Sequence, residues 1–333
     1  MKITVIMPYD EPSRAKLRTA CPEDEIVFAY DTTLPYDAKQ KFDETYLPDV
    51  LSSDIILGQP PVDALKDADK LGLLVLSMAG TEPYSLPGKL PAGVRLCNSS
   101  GAYGRAIGEH MLASAMMLSK KLHLYRDQMP KGAWVDRGSV TSICDMKVLI
   151  VGLGDIGIHF GRLCKAMGAF VAGVRRSGKT KPDFIDALYP REALDDILPG
   201  YDLVALCLPG NPETAGLFGA ERIALMKQGS ILLNVGRGSA VDSMALYDAL
   251  TSGHLAGAAV DVTDPEPLPS DHPLWQAENC LITPHISGFY HLRKTYDNIV
   301  DIAIENIRRY KAGEALLTEV DLGTGYQIGR AHV

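Results

Sequence analysis

Residues 147–157 read KVLIVGLGDIG, a short and mostly apolar run followed directly by glycines at positions 152, 154 and 157. This G-x-G-x-x-G spacing, between a predicted strand and a predicted helix, is typical of a turn that binds the pyrophosphate of a dinucleotide. Gly152 permits the tight turn, Gly154 lets the backbone approach the phosphates, and Gly157 lets the helix pack closely on the strand. The N–H groups that begin the helix would face the negative charge. An isolated motif could also be a structural turn, so its surroundings decide between the two.

Five further apolar, β-rich runs follow the motif and alternate with helical patterns. Together with the first run they predict six strands, at 147–151, 170–174, 202–208, 230–234, 258–261 and 280–283. The first intervening helix places four apolar residues on one face, namely Ile156, Phe160, Leu163 and Met167. Regular alternation of strand and helix indicates a doubly wound parallel α/β sheet, which favours dinucleotide binding over a structural turn.

The first hundred residues repeat this style less regularly, with predicted strands at 3–7, 55–58 and 73–77. Apolar stripes at helical spacing, from Ile107 to Leu122 and from Tyr296 to Tyr310, are typical of core packing. We therefore predict a Rossmann domain at 99–287, inserted into a smaller flavodoxin-like substrate domain formed by 1–98 and 288–326. Two chain crossings would let the domains hinge around a cleft. The last residues, QIGRAHV at 327–333, back-translate to a common sequencing adapter, and we expect them to be a non-native tail.

Composition excludes several classes of protein. With 46% hydrophobic and 22% charged residues, the chain has the balance of a folded protein rather than a disordered one. Its 33 basic and 41 acidic residues give a net charge of −8, the wrong sign for general binding to nucleic acid or an anionic membrane. The six cysteines form no CxxC pair, and no apolar run approaches the roughly 18 residues of a membrane span. We expect a cytoplasmic protein with reduced thiols and neither nucleic-acid nor membrane partners.

The end of the second predicted strand indicates which dinucleotide would bind. NAD sites usually carry Asp or Glu there, about 20 residues after the first strand, to bind the ribose 2′-hydroxyl. This chain instead has Arg175, Arg176 and Ser177. Two guanidiniums and a hydroxyl suit a 2′-phosphate, so the sequence predicts a preference for NADP(H), with NAD(H) still possible. The alternative is a solvated basic turn.

Three chemically capable residues follow later strands, at the edge where an open parallel sheet binds ligands. They are Arg237 in NVGRG, Glu266 in DVTDPEPLP and His285 in TPHISG. Each alone could be a surface ion-pair partner, a solvated acid or a capping residue. Together they suit reduction of a small 2-oxo acid, with Arg237 holding the substrate carboxylate and polarising the carbonyl while His285 donates a proton. Glu266 would stabilise the imidazolium and keep a proton donor available near neutral pH.

Several stretches of the chain resemble the D-isomer-specific 2-hydroxyacid dehydrogenases. They are GLGDIG at 152–157, LPGNPETAGLFGAERIALMKQGSILLNVGRGSAVD at 208–242, AAVDVTDPEPLP at 258–269, ITPHISG at 282–288, SMAG at 77–80, NSSGAYGRAIGEHML at 98–112 and GY at 325–326. The resemblance spans most of the chain. The turn at 175–177 is shared with the glyoxylate and hydroxypyruvate reductase branch.

The resemblance implies roles for specific residues. Arg237, Glu266 and His285 match the catalytic residues of the family, and Asp261 matches a contact to the cofactor ring. A loop in the first domain would bind the substrate carboxylate through its backbone amides, here those of Met78, Ala79 and Gly80. The family also implies a homodimer made through the cofactor domain. Its further cofactor-binding positions fall, beside the glycines, on Asp155, Ile156, Leu208, Pro209, Thr214, Val235, Gly236 and Gly288.

We therefore expect a reductase that couples NADP(H) to a small 2-oxo acid and its (R)-2-hydroxy acid. The alternative is a cofactor-sensing binding protein, like the co-repressors that share the fold. No metal is expected, because the Glu109-His110 pair lacks HExxH spacing. The chain ends soon after its last predicted helix, which argues against the longer phosphoglycerate dehydrogenases with a regulatory domain.

Overall fold

The computed structural model describes residues 1–38, 41–176 and 181–323. The chain divides into two compact units, one formed by Met1–Tyr103 with the described chain from Phe289 onward, the other by Gly104–Gly288. The predicted limits lie at 98/99 and 287/288. Ser177 and the predicted tail at 327–333 lie outside the described residues.

In the first unit, the described residues form a five-stranded parallel sheet with the order β2-β1-β3-β4-β5, as in flavodoxin-like folds. Helix α1 begins where the Asp10 carboxylate accepts a hydrogen bond from Ser13 N at 3.1 Å. The strands, numbered in chain order like the helices, are β1 (Lys2–Val5), β2 (Glu25–Phe28), β3 (Ile55–Leu57), β4 (Leu73–Val75) and β5 (Arg95–Cys97), and the helices are α1 (Glu11–Ala20), α2 (Leu47–Leu51) and α9 (Arg293–Lys311).

The second unit contains a larger parallel sheet with the order β8-β7-β6-β9-β10-β11-β12. Its strands are β6 (Lys147–Val151), β7 (Phe170–Arg175), β8 (Ala187–Pro190), β9 (Leu203–Leu206), β10 (Ser230–Asn234), β11 (Leu255–Val260) and β12 (Cys280–Ile282). Its helices are α3 (Gly104–Ser119), α4 (Leu122–Gln128), α5 (Asp155–Ala166), α6 (Leu194–Ile197), α7 (Ala220–Leu225) and α8 (Ser243–Thr251). This is the doubly wound Rossmann order with one further strand, and the strand order reverses between β6 and β9, where such sheets bind ligands.

The predicted α/β class with two parallel sheets is confirmed, and β6 and β10 have the predicted bounds. Three strands, β2, β5 and β8, were not predicted. All three lie at the edge of their sheet. None of the three is fully buried, because β2 and β8 consist of half-buried and exposed residues and β5 begins with a half-buried arginine.

Two helical predictions need correction. The stripe from Ile107 to Leu122 is not one helix, because α3 ends at Ser119 and Lys121 has a left-handed φ of 56°. Leu122 begins α4 and is 53% exposed. On α5 the predicted apolar face is only partly buried, since Phe160 is fully buried whereas Met167 is 41% exposed. The buried side of α5 consists of Gly157, Phe160, Gly161 and Cys164, because the small residues let the helix lie close to the sheet.

All six cysteines are free thiols. Burial raises the pKa of the Cys97 and Cys164 thiols to about 12, so both are protonated and unreactive at neutral pH. None of the helices in the described ranges is both long and apolar enough to cross a bilayer.

The buried side of α5 can be tested by truncating two of its apolar side chains. We expect Phe160→Ala to destabilise the second unit by about 3–5 kcal/mol, because it leaves a cavity in the core. Met167→Ala, at the exposed end of the same predicted stripe, is the matched control and should change stability by no more than about 0.5 kcal/mol. Calorimetric unfolding measures both, and equal losses would contradict the assigned face.

Candidate functional site

The glycine-rich turn between β6 and α5 has the shape of a phosphate cradle. Gly152 has a φ of 103°, and a Cβ there would lie 2.6 Å from Cys207 O. A Cβ on Gly157 would lie 2.2 Å from Gly152 O, whereas one on Gly154 would point into open space. Gly154 is the N-cap of α5 and provides no capping side chain. The turn therefore offers its backbone amides to an anion at the one glycine where space is open, which fits a pyrophosphate.

Asp155 and Ile156, both predicted cofactor contacts, begin α5. The Asp155 carboxylate is turned toward α3, where its Oδ2 accepts from Gly104 N at 2.8 Å and its Oδ1 lies 3.3 Å from His159 Nδ1. The hydrogen bond to Asp155 raises the pKa of His159. The carboxylate thus joins two helices, which leaves the backbone of this residue as its route to a cofactor. Ile156 is half-buried.

The end of β7 carries basic side chains and no acid. The Arg175 guanidinium donates through Nη2 to Leu153 O at 3.3 Å, and burial lowers its pKa. Arg176 is exposed, and its Nη1 lies 4.0 Å from Glu213 Oε2. Both guanidiniums thus lie at the carboxyl end of the strand beside β6.

The other predicted cofactor residues lie in loops at the same edge of this sheet. Leu208, Pro209 and Thr214 follow β9, and the buried Thr214 hydroxyl donates to Pro209 O at 2.7 Å. Val235 and Gly236 follow β10, where a Cβ on Gly236 would lie 2.5 Å from Leu208 O. The two loops therefore approach so closely that only glycine fits. Gly288 closes the segment that follows β12.

The three residues predicted to do chemistry follow the neighbouring strands β10, β11 and β12. His285 Nδ1 lies 2.6 Å from Glu266 Oε1, and the two side chains are 50% and 43% exposed. Since a carboxylate can only accept, Nδ1 carries the proton in this bond, and Nε2 is left for a ligand. His285 has a left-handed φ of 52°, a conformation that is uncommon for residues other than glycine. Arg237 is half-buried, and its Nη1 donates to Gly236 O at 2.9 Å.

Two buried polar residues, one unpredicted, hold the backbone that presents these side chains. Asn234, the last residue of β10, is 1% exposed, and its amide donates to Arg237 O at 3.0 Å and accepts from Gly236 N at 3.1 Å. Asn234 could have been recognised from the sequence, because it is a polar residue at the end of an apolar strand. Both oxygens of the buried Asp261 accept bonds from the segment around His285, as the four donors are Thr283 Oγ1, Ile286 N, Ser287 N and Ser287 Oγ, at 2.5–3.1 Å.

A carboxylate has about four lone-pair sites, so this segment accounts for the accepting capacity of Asp261. The side chain thereby fixes the left-handed turn that aims His285. The predicted contact of Asp261 with a cofactor ring stays a prediction.

In the first unit, the predicted carboxylate-binding loop is bonded to the rest of the unit through its carbonyl groups. The carbonyls of Ser77, Met78 and Ala79 accept hydrogen bonds from Tyr103 Oη, Ser99 N and Asn98 Nδ2 respectively. In a trans peptide the next N–H points the opposite way. The N–H groups of Met78, Ala79 and Gly80 donate to no acceptor within the described ranges. Three adjacent amides are thus available to an anion.

No cluster of three or more potential metal-ligating side chains occurs in the part of the chain that the structure describes. Glu109 instead pairs with Arg105 at 3.1 Å along α3.

Comparison with known proteins gives consistent matches. Residues 112–287 match the model of the family described as D-isomer specific 2-hydroxyacid dehydrogenase, NAD binding domain. D-3-phosphoglycerate dehydrogenase from Escherichia coli K12 is 33% identical over 232 residues, covering 68% of this chain and 56% of that protein. The chain therefore spans about half the length of that relative.

Solved structures match over nearly the whole chain. A D-isomer specific 2-hydroxyacid dehydrogenase family protein from Aeromonas salmonicida has a TM-score of 0.83 at 29% identity, covering 96% of this chain and 99% of that one. A D-isomer specific 2-hydroxyacid dehydrogenase from Xanthobacter autotrophicus Py2, in complex with NADPH and MES, has a TM-score of 0.80 at 28% identity, covering 98% and 99%.

The anchoring role of Asp261 predicts a local change in amide exchange. In Asp261→Ala, the N–H groups of Ile286 and Ser287 lose their acceptors, so their hydrogen exchange should accelerate at least about tenfold. Asp242→Ala is the matched control, because Asp242 accepts from Met244 N and Ala245 N at the start of α8. It should accelerate exchange there and leave Ile286 and Ser287 unchanged. Unaltered protection of residues 286 and 287 in Asp261→Ala would contradict the role.

Proposed function

Because the chain belongs to the D-isomer specific 2-hydroxyacid dehydrogenase family, we propose that it transfers hydride between NADP(H) and a small 2-oxo acid/(R)-2-hydroxy acid pair. The bound nicotinamide would supply or accept the hydride at the substrate carbon. The side chains of the protein would bind the acid, orient it and move the accompanying proton.

The contact between His285 and Glu266 carries this proposal. Glu266 accepts the hydrogen bond from Nδ1–H, which orients the ring and leaves Nε2 to face a substrate. In the reductive direction, Nε2–H would donate its proton to the substrate oxygen as the carbonyl carbon is reduced. In the oxidative direction, neutral Nε2 would accept that proton. One ring thus serves both directions, and Asp261 keeps it in place.

Arg237 would bind the substrate through its guanidinium. The bond from Nη1 to Gly236 O orients the planar group, whose geometry suits a carboxylate and an oxygen that gains negative charge. In the first unit, the amides of Met78, Ala79 and Gly80 suit a carboxylate. We propose both groups as substrate ligands.

The choice of NADP(H) over NAD(H) rests on the end of β7. Arg175 and Arg176 are present there, and the acid expected of an NAD site is absent at both positions. The Xanthobacter relative was crystallised with NADPH, which is consistent with this choice. Discrimination of tenfold or more requires only about 1.4 kcal/mol, less than a well-made charged hydrogen bond contributes.

We further propose that a second copy of the chain covers an exposed apolar region of the second unit. Trp134 is fully exposed, at 101%, and four other large apolar side chains nearby in sequence are also exposed, namely Met116, Leu122, Met129 and Val135. Exposed apolar surface of this kind marks interaction sites when it is contiguous. This segment lies in the cofactor-binding unit, through which the family resemblance implies a dimer.

The proposed chemistry is tested by following NADPH absorbance with glyoxylate, hydroxypyruvate, pyruvate and branched 2-oxo acids. We expect turnover of at least one substrate, with a higher kcat/KM for NADPH than for NADH. His285→Ala should lower kcat by about 10²–10⁴ while leaving the Kd of NADPH nearly unchanged, because the ring moves a proton and does not hold the nucleotide.

His272→Ala is the matched control, since His272 caps a short helix in the same unit by accepting from Leu274 N at 3.1 Å. Its kcat should stay within about twofold of wild type. Unchanged turnover in His285→Ala would refute the proposed mechanism. Tight NADPH binding without turnover of any acid would instead support a cofactor sensor.

The proposed dimer predicts a specific effect of the exposed tryptophan. Trp134→Ser should weaken self-association by more than about tenfold in sedimentation or light scattering, since buried aromatic residues dominate interfaces. The other tryptophan provides the control. Trp275 is 47% exposed and donates to Pro269 O at 2.8 Å, so Trp275→Ser should leave the mass unchanged. A monomeric wild type would contradict the assignment.

A further inference from the structure

Strand β8, which the sequence pattern did not reveal, brings a third arginine to the basic end of β7. The two strands are parallel neighbours, and Arg175 is paired in register with Pro190. An arginine directly follows each strand, Arg176 after β7 and Arg191 after β8. Since parallel strands end at the same edge of a sheet, Arg191 lies where the predicted 2′-phosphate would bind.

Glu213 links the two guanidiniums. Its Oε2 lies 3.3 Å from Arg191 Nη1 and 4.0 Å from Arg176 Nη1. Arg191 Nη2 also donates to Glu213 O at 2.6 Å, so both the side chain and the backbone of Glu213 hold this guanidinium. Arg175, Arg176 and Arg191 together outnumber this single carboxylate, so the edge keeps a net positive charge.

The loop that carries Glu213 contains its own hydrogen bonds. Asn211 Oδ1 accepts from Glu213 N at 2.9 Å and from Thr214 N at 3.0 Å. This is the same loop that contains the proposed cofactor contacts at 208, 209 and 214. Arg191 is therefore bonded to a loop that would itself contact the cofactor.

The Arg191 side chain retains binding capacity. A guanidinium has five N–H donors, and the bonds to Glu213 use one on Nη1 and one on Nη2. The side chain is also 35% exposed. A planar, oriented group with remaining donors is suited to the oxygens of a phosphate monoester.

We infer that Arg191, held by Glu213, is a specificity-determining residue that binds the 2′-phosphate of NADP(H) together with Arg175 and Arg176. The inference rests on the proposed use of NADP(H). A residue that only linked two loops would affect the binding of NADPH and NADH equally. A residue that binds the 2′-phosphate affects the binding of NADPH alone.

Titrations of the purified full chain with NADPH and with NADH, followed by cofactor fluorescence, separate these roles. Arg191→Gln should raise the Kd of NADPH about tenfold or more and change the Kd of NADH by less than about twofold. Arg191→Lys, which keeps the charge but loses the planar group, should retain only part of the preference. Arg175→Gln/Arg176→Gln should reduce the same preference.

Arg222→Gln is the matched control, because Arg222 also ties a carboxylate, Asp195, to a main-chain carbonyl, that of Leu217. It should alter neither Kd. Its melting temperature shows how much stability is lost when such a contact between two segments is removed. If Arg191→Gln weakens both nucleotides equally, or leaves the preference intact while the double variant loses it, the inference about Arg191 is wrong. If wild type binds NADH as tightly as NADPH, the proposed cofactor choice fails instead, and the inference with it.

Discussion

Parallel pairing from β6 to β12 brings seven carboxyl strand ends to one edge of the sheet, and every candidate functional residue of the second unit depends on that arrangement. The glycine turn follows β6, the arginines follow β7 and β8, and Arg237, Asp261 and His285 follow the strands on the other side of the switch. Residues more than a hundred positions apart thus share one surface, because parallel strands all end at the same edge of the sheet.

Buried polar side chains hold the loops at this edge in place. Asn234 and Asp261 are almost fully buried, and burial of such groups is costly unless their hydrogen bonds are made. Here those bonds go to the backbone on either side of Arg237 and His285. The free-energy cost of breaking these bonds therefore holds the backbone at Arg237 and His285 in place. Toward the other edge of the sheet, the exposed Glu213 accepts hydrogen bonds from Arg191 through both its side chain and its backbone.

The strands whose bounds were predicted correctly from the sequence are buried ones. Central strands such as β6 and β10 were located at their observed bounds because both faces are covered and their residues are continuously apolar. The edge strand β8 has half-exposed residues and reads as a loop. Missing it also hid Arg191, since an arginine after an unrecognised strand cannot be assigned to the edge of a sheet. The apolar face of α5 was partly wrong for a related reason, as glycines and a cysteine, rather than large side chains, make its closest contacts.

The sequence alone predicted the parallel α/β class, the dinucleotide turn at 152–157 and the basic end of β7. It also singled out Arg237, Glu266 and His285 as candidate functional residues. These signals are local, because a glycine spacing or an apolar run is written in consecutive residues. The tertiary structure alone decided that Glu266 meets His285, that both oxygens of Asp261 are engaged by the segment after β12, and that Arg191 meets Glu213. Each of these contacts joins separate segments, and such partners become visible only when the strands have been ordered in space.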